Sequence, residues 1–239
     1  MLSILEWDSN FFGINIATVT DINDLSFNFR EYIQVRNIDF VQVLCRIDEI
    51  SKINKLEYNG FHFADVKITY RINLEDVYVN PIDFKLATNK DKLPIRKIAE
   101  GSFFDSRYYG YEHLFKVEKV NRMYSLWAEK SIDGQFDDFC LKITHSNATC
   151  GFITVKIINT SSAVIGIFAI DEQFRGRGIG CELMNSLFSF LRTMNVCNVE
   201  VSTQGKNILA QNFYIKQGFK VSRLESWYYY SRDISKHEQ

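Results

Sequence analysis

Ile170-Asp-Glu-Gln-Phe-Arg175-Gly-Arg177-Gly-Ile-Gly180 runs from the apolar end of a strand, Phe168-Ala169-Ile170, through a loop spaced by Gly176, Gly178 and Gly180 and into a helix. Glycines at these places let the main chain approach a bulky anion with no Cβ in the way. The first N–H groups of the helix, and its positive dipole end, then point at the charge. Ile179, Leu183, Leu187, Leu191 and Met194 repeat at helical spacing, so the helix carries a stripe that faces a sheet. The order Arg175-x-x-Gly178-x-Gly180 is neither the dinucleotide fingerprint nor the Gly-Lys-Ser/Thr phosphate loop. A pyrophosphate fits such a loop; a glycine-rich turn that binds nothing is the alternative these residues alone leave open.

The segment downstream narrows the choice. Cys197 to Thr203 alternates as a strand, and Asn207-Ile-Leu-Ala210-Gln-Asn-Phe-Tyr214-Ile-Lys-Gln-Gly218-Phe219 reads as a short helix stopped by glycine. The order strand, anion loop, helix, strand, helix, strand, with these two motifs in it, resembles the GNAT superfamily of acyl-CoA-dependent N-acetyltransferases. The resemblance covers roughly residues 90 to 230. It implies a GNAT fold of α/β class, with a central mixed, mostly antiparallel sheet flanked by helices. Acetyl-CoA is the implied cosubstrate, with its pyrophosphate on Arg175, Gly176, Arg177, Gly178, Ile179 and Gly180. The pantetheine arm would run beside Phe168, Ala169 and Ile170 as an added strand does. Tyr214 falls at the family's general-acid position, and Asn207 and Ala210 at cofactor-contacting ones. A core aromatic and a helix cap are the plain readings of Tyr214 and Asn207.

A narrower resemblance rests on Leu5-Glu-Trp7-Asp8-Ser9-Asn10-Phe11-Phe12-Gly13, on Phe104-Asp105-Ser106-Arg107-Tyr108-Tyr109 and on Met123-Tyr124-Ser125-Leu126-Trp127. These look like a branch of the family that acetylates nucleotide-linked amino sugars of the dTDP-4-amino-4,6-dideoxy type. The acceptor is then a small molecule. A polyamine, an amino acid or a protein N-terminus are the other acceptors, and a CoA-binding module without turnover is the reading from another class. Arg107 presents a fork suited to phosphate oxygens, with Tyr108 beside it to stack on a base or sugar, and Asp8 is a candidate general base. A surface ion pair for Arg107 and a helix cap or turn for Asp8 are the plain alternatives.

Composition sets the outer limits. The 239 residues are 46% hydrophobic and 24% charged, with a formal net charge of −1, an ordinary globular balance without the basic excess of a nucleic-acid surface. Cys45, Cys140, Cys150, Cys181 and Cys197 are far apart in apolar runs and read as buried free thiols. Neither they nor the isolated His62, His113, His145 and His237 have metal-ligand spacing, so no metal is expected. No cysteine falls in either motif core, which disfavours a covalent thiol shuttle. No basic leader or membrane-length apolar window is present, and a cytoplasmic location is expected.

Along the chain, Pro81 and Pro94 bracket the polar stretch Thr88-Asn-Lys-Asp-Lys92, the best linker candidate. It would divide an N-terminal α/β portion, residues 1–82, on the acceptor side or in a dimer contact, from an acetyl-CoA-binding domain, residues 90–239. Phe40 to Cys45, the stop at Asn59-Gly60-Phe61 and the alternating Val66 to Ile72 echo residues 197–230, with Asn59-Gly60-Phe61 standing for Gln217-Gly218-Phe219. The N-terminal portion would thus be a degenerate half of the same fold, unless the echo is only a common helix-glycine-strand junction. Helices are expected from Pro94 and over Met123 to Ser131, lying over the substrate. Strands are expected at Phe139 to Thr144, Thr149 to Ile157 and Ala163 to Ile170. The Tyr228-Tyr229-Tyr230 run is expected to alternate across a last strand. A free strand edge could support a homodimer.

Overall fold

The computed structural model describes residues 2–25, 29–78, 82–103 and 106–232; Pro81, Phe104, Asp105 and His237 lie outside the described residues. In chain order the elements are β1 (Leu2–Ile4), α1 (Glu6–Phe12), β2 (Ile16–Val19), α2 (Phe29–Val35), β3 (Phe40–Arg46), α3 (Ile50–Tyr58) and β4 (His62–Asn73). The second part holds β5 (Lys85–Leu86), α4 (Lys92–Glu100), α5 (Val117–Ile132), β6 (Phe139–His145), β7 (Ala148–Asn159), β8 (Ser162–Ile170), α6 (Ile179–Thr193), β9 (Asn198–Gln204), α7 (Ile208–Lys216) and β10 (Lys220–Ser231). All the strands join one ten-stranded mixed sheet in the order β1-β2-β3-β10-β4-β9-β8-β7-β6-β5.

The order is informative because it is interleaved. β10 lies between β3 and β4 and is antiparallel to both, and β4 lies between β10 and β9. The unit β3-α3-β4 has elements of 7, 9 and 12 residues, and β9-α7-β10 has the same lengths. Each helix ends in a left-handed glycine, Gly60 at φ 82° and Gly218 at φ 91°, followed by a buried phenylalanine, Phe61 or Phe219. Upstream the match continues. β2 runs parallel to β3 as β8 does to β9, and Asp21 and Asp171 each cap a 3-10 turn by accepting from the N–H two residues on. The echo heard in the sequence is therefore a repeat whose units have exchanged their last strands. One sheet runs through residues 1–82 and 90–239, each lending a strand to the other.

Period-2 alternation explains the two faces of this sheet. In the second unit Val199, Val201, Ile165 and Ile153 face the apolar stripe of α6, Leu183, Leu187 and Leu191 among it. Ile167, Ala169 and Phe152 face α4 and α5 on the opposite side. Tyr228 and Tyr230 pack with α2 and α3, whereas Tyr229 faces Phe12, Phe40 and Phe115, so the tyrosine run does alternate.

Three expectations change. Thr88 to Asp91 is a helix start rather than a loose linker. Thr88 and Asp91 form a capping box, the Asp91 carboxylate accepting from the Thr88 N–H at 2.8 Å and also pairing with Lys142. Cys181 is exposed and Cys197 half-buried, so only Cys45, Cys140 and Cys150 are buried thiols. The helix expected over Met123 to Ser131 begins earlier, at Val117, because its first turn is exposed and carries no periodic signal.

Burial alone would raise the Asp91 pKa; Lys142 and the Thr88 hydrogen bonds outweigh it and hold the carboxyl below its ordinary value. A depressed folded-state pKa contributes stability above the unfolded value of about 4 and loses it as pH falls through the folded one. Asp91→Ala should cost about 1–2 kcal/mol at pH 7, read as a lower urea midpoint. The gap to the parent protein should close in acid.

Candidate active site

β8 and β9 are paired only from Ser162↔Asn198 to Ile165↔Val201. Beyond that point β9 continues along β4, from Thr69↔Ser202 to Lys67↔Gln204, while β8 continues along β7 to Ile170. A wedge opens between Gly166–Ile170 and Ser202–Gln204, and the edge of β8 that faces it lacks a partner strand. At this place the β7–β8 ladder slips. Ile153 faces Phe168 and Val155 faces Ile165, so β8 carries one extra residue, a bulge at Gly166 and Ile167.

The loop that follows bends over the mouth of the wedge. Gly176 and Gly178 have φ 74° and 81°, and nothing lies within 4 Å of where either would carry a Cβ. No side chain caps α6. The Cys181 N–H bonds the Gly178 carbonyl at 3.0 Å, and the N–H groups of Ile179 and Gly180 before it have no side-chain cap, the arrangement an anion needs. Gly180 is closely packed instead, since a methyl group there would sit 3.3 Å from Phe213, tight enough to push the ring by a few tenths of an ångström, and 3.5 Å from Phe168. Those two rings stack at 5.1 Å and fix α7 against β8. Arg175 folds back, its Nε donating to the Ile170 carbonyl at 3.0 Å, and Arg177 lies 5.7 Å from the Phe174 ring.

Tyr214 stands on α7 among Tyr70, Phe213 and Phe219. Its hydroxyl has no hydrogen-bond partner among the described residues. Among them only Ser231 Oγ is both fully buried and unpartnered, so the Tyr214 hydroxyl reaches accessible space. Burial, with the nearby Tyr70 phenol adding to it, pushes the Tyr214 pKa well up, and the group stays protonated far into alkali. Asn207 caps α7, its side chain accepting from the Ala210 N–H at 3.1 Å, and Ala210 packs on the core. Gln211, one residue further, donates to the Gly205 carbonyl at 2.6 Å and ties α7 to the end of β9.

Asp65, the single acid of β4, is signalled by no sequence motif. It is 6% exposed. Its Oδ1 accepts from the Val66 N–H at 2.7 Å and lies 3.7 Å from the Cβ position of Gly205, beside the β9–α7 turn. Burial raises its pKa, against the opposing pull of the Val66 and Gly205 N–H groups and of the Lys206 and Arg107 charges. Lys206 in turn donates to the Ser106 carbonyl at 3.4 Å.

Arg107 is held by the protein itself. Its guanidinium lies 4.0 Å from the Trp227 ring and 4.2 Å from the Tyr108 ring. It donates to Gln42 Oε1 and the Tyr108 hydroxyl, both at 2.7 Å, and to the Tyr229 hydroxyl. A phosphate would have to displace these acceptors, and the rings expected to stack on a ligand stack on Arg107. Tyr108 is buried, which pushes its phenol up to about 12 although Arg107 pulls the other way. Asp8, on α1, is half-buried; burial raises its carboxyl and Arg107 opposes that. Together Trp7, Tyr111, Tyr124, Trp127 and Trp227 build an aromatic wall between the two units. Among the described residues no cluster of His, Cys, Asp and Glu could hold a metal, and no helix is long and apolar enough to cross a membrane.

Comparison with known proteins agrees with this geometry. Residues 104–219 match the model of the Acetyltransferase (GNAT) family. The dTDP-fucosamine acetyltransferase of Escherichia coli O6:H1 is 24% identical over 226 residues, covering 94% of this chain and 96% of that protein. The [ribosomal protein bS18]-alanine N-acetyltransferase of Salmonella typhimurium is 26% identical over 105 residues, 43% of this chain and 70% of that one. Among solved structures, a GCN5-related N-acetyltransferase from Sphaerobacter thermophilus superposes with a TM-score of 0.65 at 17% identity, over 96% of this chain and 76% of that one. A tandem GNAT protein from the clavulanic acid biosynthesis pathway does so with 0.59 at 14%, over 90% and 75%. These two likenesses show the fold. Residues 104–219 belong to the GNAT acetyltransferases, a family that uses acetyl-CoA.

Proposed function

We propose that the protein transfers acetyl from acetyl-CoA directly to the amino group of a nucleotide-linked amino sugar of the dTDP-4-amino-4,6-dideoxy type. The observation that carries the acyl-donor half is the wedge with the uncapped, glycine-bent start of α6 at its mouth. Arg175 to Gly180 hold the pyrophosphate by main-chain N–H groups, with the open space at Gly176 and Gly178 allowing close approach. The free edge of β8 from Phe168 to Ile170 takes the amides of the pantetheine arm as a strand would. A backbone N–H near Phe168 stabilises the oxyanion, a contribution of about 3 kcal/mol in such sites. Asn207 and Ala210 shape the wall on the α7 side.

The transfer moves two protons. The attacking amine loses one to Asp65, whose burial raises its pKa above that of a solvated aspartate and so makes it a stronger base, and Tyr214 gives one to the sulfur as the C–S bond breaks. Cys181, in the first turn of α6, accepts a hydrogen bond from Gln217 Nε2 at 3.2 Å and falls outside both motif cores, consistent with direct attack. The acceptor half rests on the near full-length likeness to a dTDP-fucosamine acetyltransferase and on the aromatic wall, whose rings suit a base and a sugar face. Residues 1–82 contribute Trp7 and Asp8 to that acceptor side, and residues 90–239 contribute Tyr108 and the remaining rings. Arg107 orients Tyr108 and Trp227.

Calorimetric titration with acetyl-CoA, followed by release of free CoA across a panel of amines, tests both halves. Turnover confined to dTDP-linked amino sugars is the expected result. Turnover on polyamines or peptide N-termini instead would overturn the acceptor reading. Tight acetyl-CoA binding with no turnover on any amine would favour a binding module.

A further inference from the structure

Asp137, in the turn between α5 and β6, is 5% exposed and belongs to neither motif. Its carboxylate lies against the bulge of β8. A methyl group at Gly166 would overlap the Asp137 carboxylate and come within 2.8 Å of Thr154 Oγ1, so only glycine lets the acid stand there. The Thr154 hydroxyl, fully buried on β7, donates to Asp137 Oδ2 and accepts from the Ile167 N–H at 2.8 Å. A carboxylate only accepts, so it claims the single proton of that hydroxyl and leaves a lone pair facing Ile167. The turn is pinned in its own right. The Asp137 N–H donates to Ser131 Oγ at 3.3 Å, Ser131 donates to the Trp127 carbonyl at 2.8 Å, and Asp138 accepts from the Ile157 N–H at 2.6 Å.

The bulged N–H of Ile167 thus finds its partner in a side chain rather than in a neighbouring strand. The bulge is also where β8 parts from β9, so the same bond sets where the free edge from Phe168 onward points. We infer that Asp137 is a positioning residue for acetyl transfer, acting through Thr154 to hold the Gly166–Ile167 bulge and with it the edge that receives the acyl group. The chain of atoms is Asp137 Oδ2, Thr154 Oγ1, Ile167 N, and it touches neither acceptor nor cofactor. The inference rests on the placement of the acyl group at the β8 edge proposed above.

The test uses the full chain with acetyl-CoA and dTDP-4-amino-4,6-dideoxygalactose. Thr154→Val keeps the shape and removes the hydroxyl; kcat should fall about 100-fold, the scale of a sub-ångström to 1 Å misplacement. The affinity for CoA by calorimetry should stay within about threefold, because the pyrophosphate loop is untouched. Thr154→Ser restores the hydroxyl and should return kcat to within about threefold of the parent, while Asp137→Ala combined with Thr154→Val should be little worse than Thr154→Val alone. A Thr154→Val enzyme with unchanged kcat, a serine variant as slow as the valine one, or strictly multiplicative losses in the double variant would overturn the inference. If Thr154→Val does not fold, amide exchange in the parent protein decides. The Ile167 amide should be strongly protected without ligand, and free exchange there sinks the proposal. Lack of turnover by the parent on this sugar counts against the acceptor reading and leaves the exchange measurement as the test of the bulge.

Discussion

Tyr214→Phe should lower kcat about 100-fold or more, the usual worth of a positioned general acid, with the dissociation constant of acetyl-CoA unchanged. The substitution removes one oxygen from a ring whose other contacts, with Tyr70, Phe213 and Phe219, are apolar edges and faces. Packing therefore survives. The hydroxyl makes no hydrogen bond among the described residues, so no protein partner is orphaned by its loss. The pH profile adds a second check. Burial raises the phenol well above its ordinary value near 10, so the protonated, active form persists as pH rises and the alkaline limb of the parent should not fall before pH about 10. An unchanged kcat in the phenylalanine variant removes Tyr214 from the mechanism.

The parts of the site that are legible in the sequence are those whose chemistry is local. Arg175 to Gly180 and the Asn207 to Gly218 helix each carry their geometry in a few consecutive residues: left-handed glycines, a cap, an apolar stripe. Even there the close packing of Gly180 on Phe168 and Phe213 is a tertiary contact that spacing does not reveal. The neighbours of Arg107 in sequence suggest a phosphate grip. Gln42, Trp227 and Tyr229, which occupy it, come from β3 and β10 and meet it only because β10 is inserted between β3 and β4. Asp65 and Asp137 are silent for the same reason: each is an ordinary acid beside a strand until pairing brings it to the wedge. The linker expectation fails on a local signal that is present, since Thr88-x-x-Asp91 is a capping-box pattern.

The repeat shows how the two units differ at the place where the second carries the proposed cofactor loop. Both have the parallel pair β2–β3 or β8–β9, a following 3-10 turn and a helix. Between Gly13 and Gly60 the first unit has no glycine, so the turn after β2 cannot bend as the 176–180 loop does. Ile22, Leu25, Val43 and Cys45 of the first unit pack into one apolar cluster. The first unit contributes instead through the strand it lends: β4 pairs with β9, the far wall of the wedge, and carries Asp65 beside the β9–α7 turn.

Asp65→Asn follows from that arrangement as an expected loss of about 100-fold in kcat/KM at neutral pH, with the acid limb of the profile abolished. The amide has the shape of the carboxyl and can still accept from the Val66 N–H, so the β4–β10 and β4–β9 ladders should hold and the urea midpoint should move little. The sign of the pH effect is set by the direction of the shift. Burial raises the Asp65 pKa above its ordinary value near 4, so the parent loses its proton acceptor as pH falls through that raised value, earlier than a solvated aspartate would. Removing the Lys206 charge, by Lys206→Met, should shift that limb further toward neutrality, because one of the charges favouring the ionised form is gone. A parent profile flat down to pH about 4, or an asparagine variant that retains the acid limb, would assign the proton to another base and leave Asp8 as the next carboxylate at the wall.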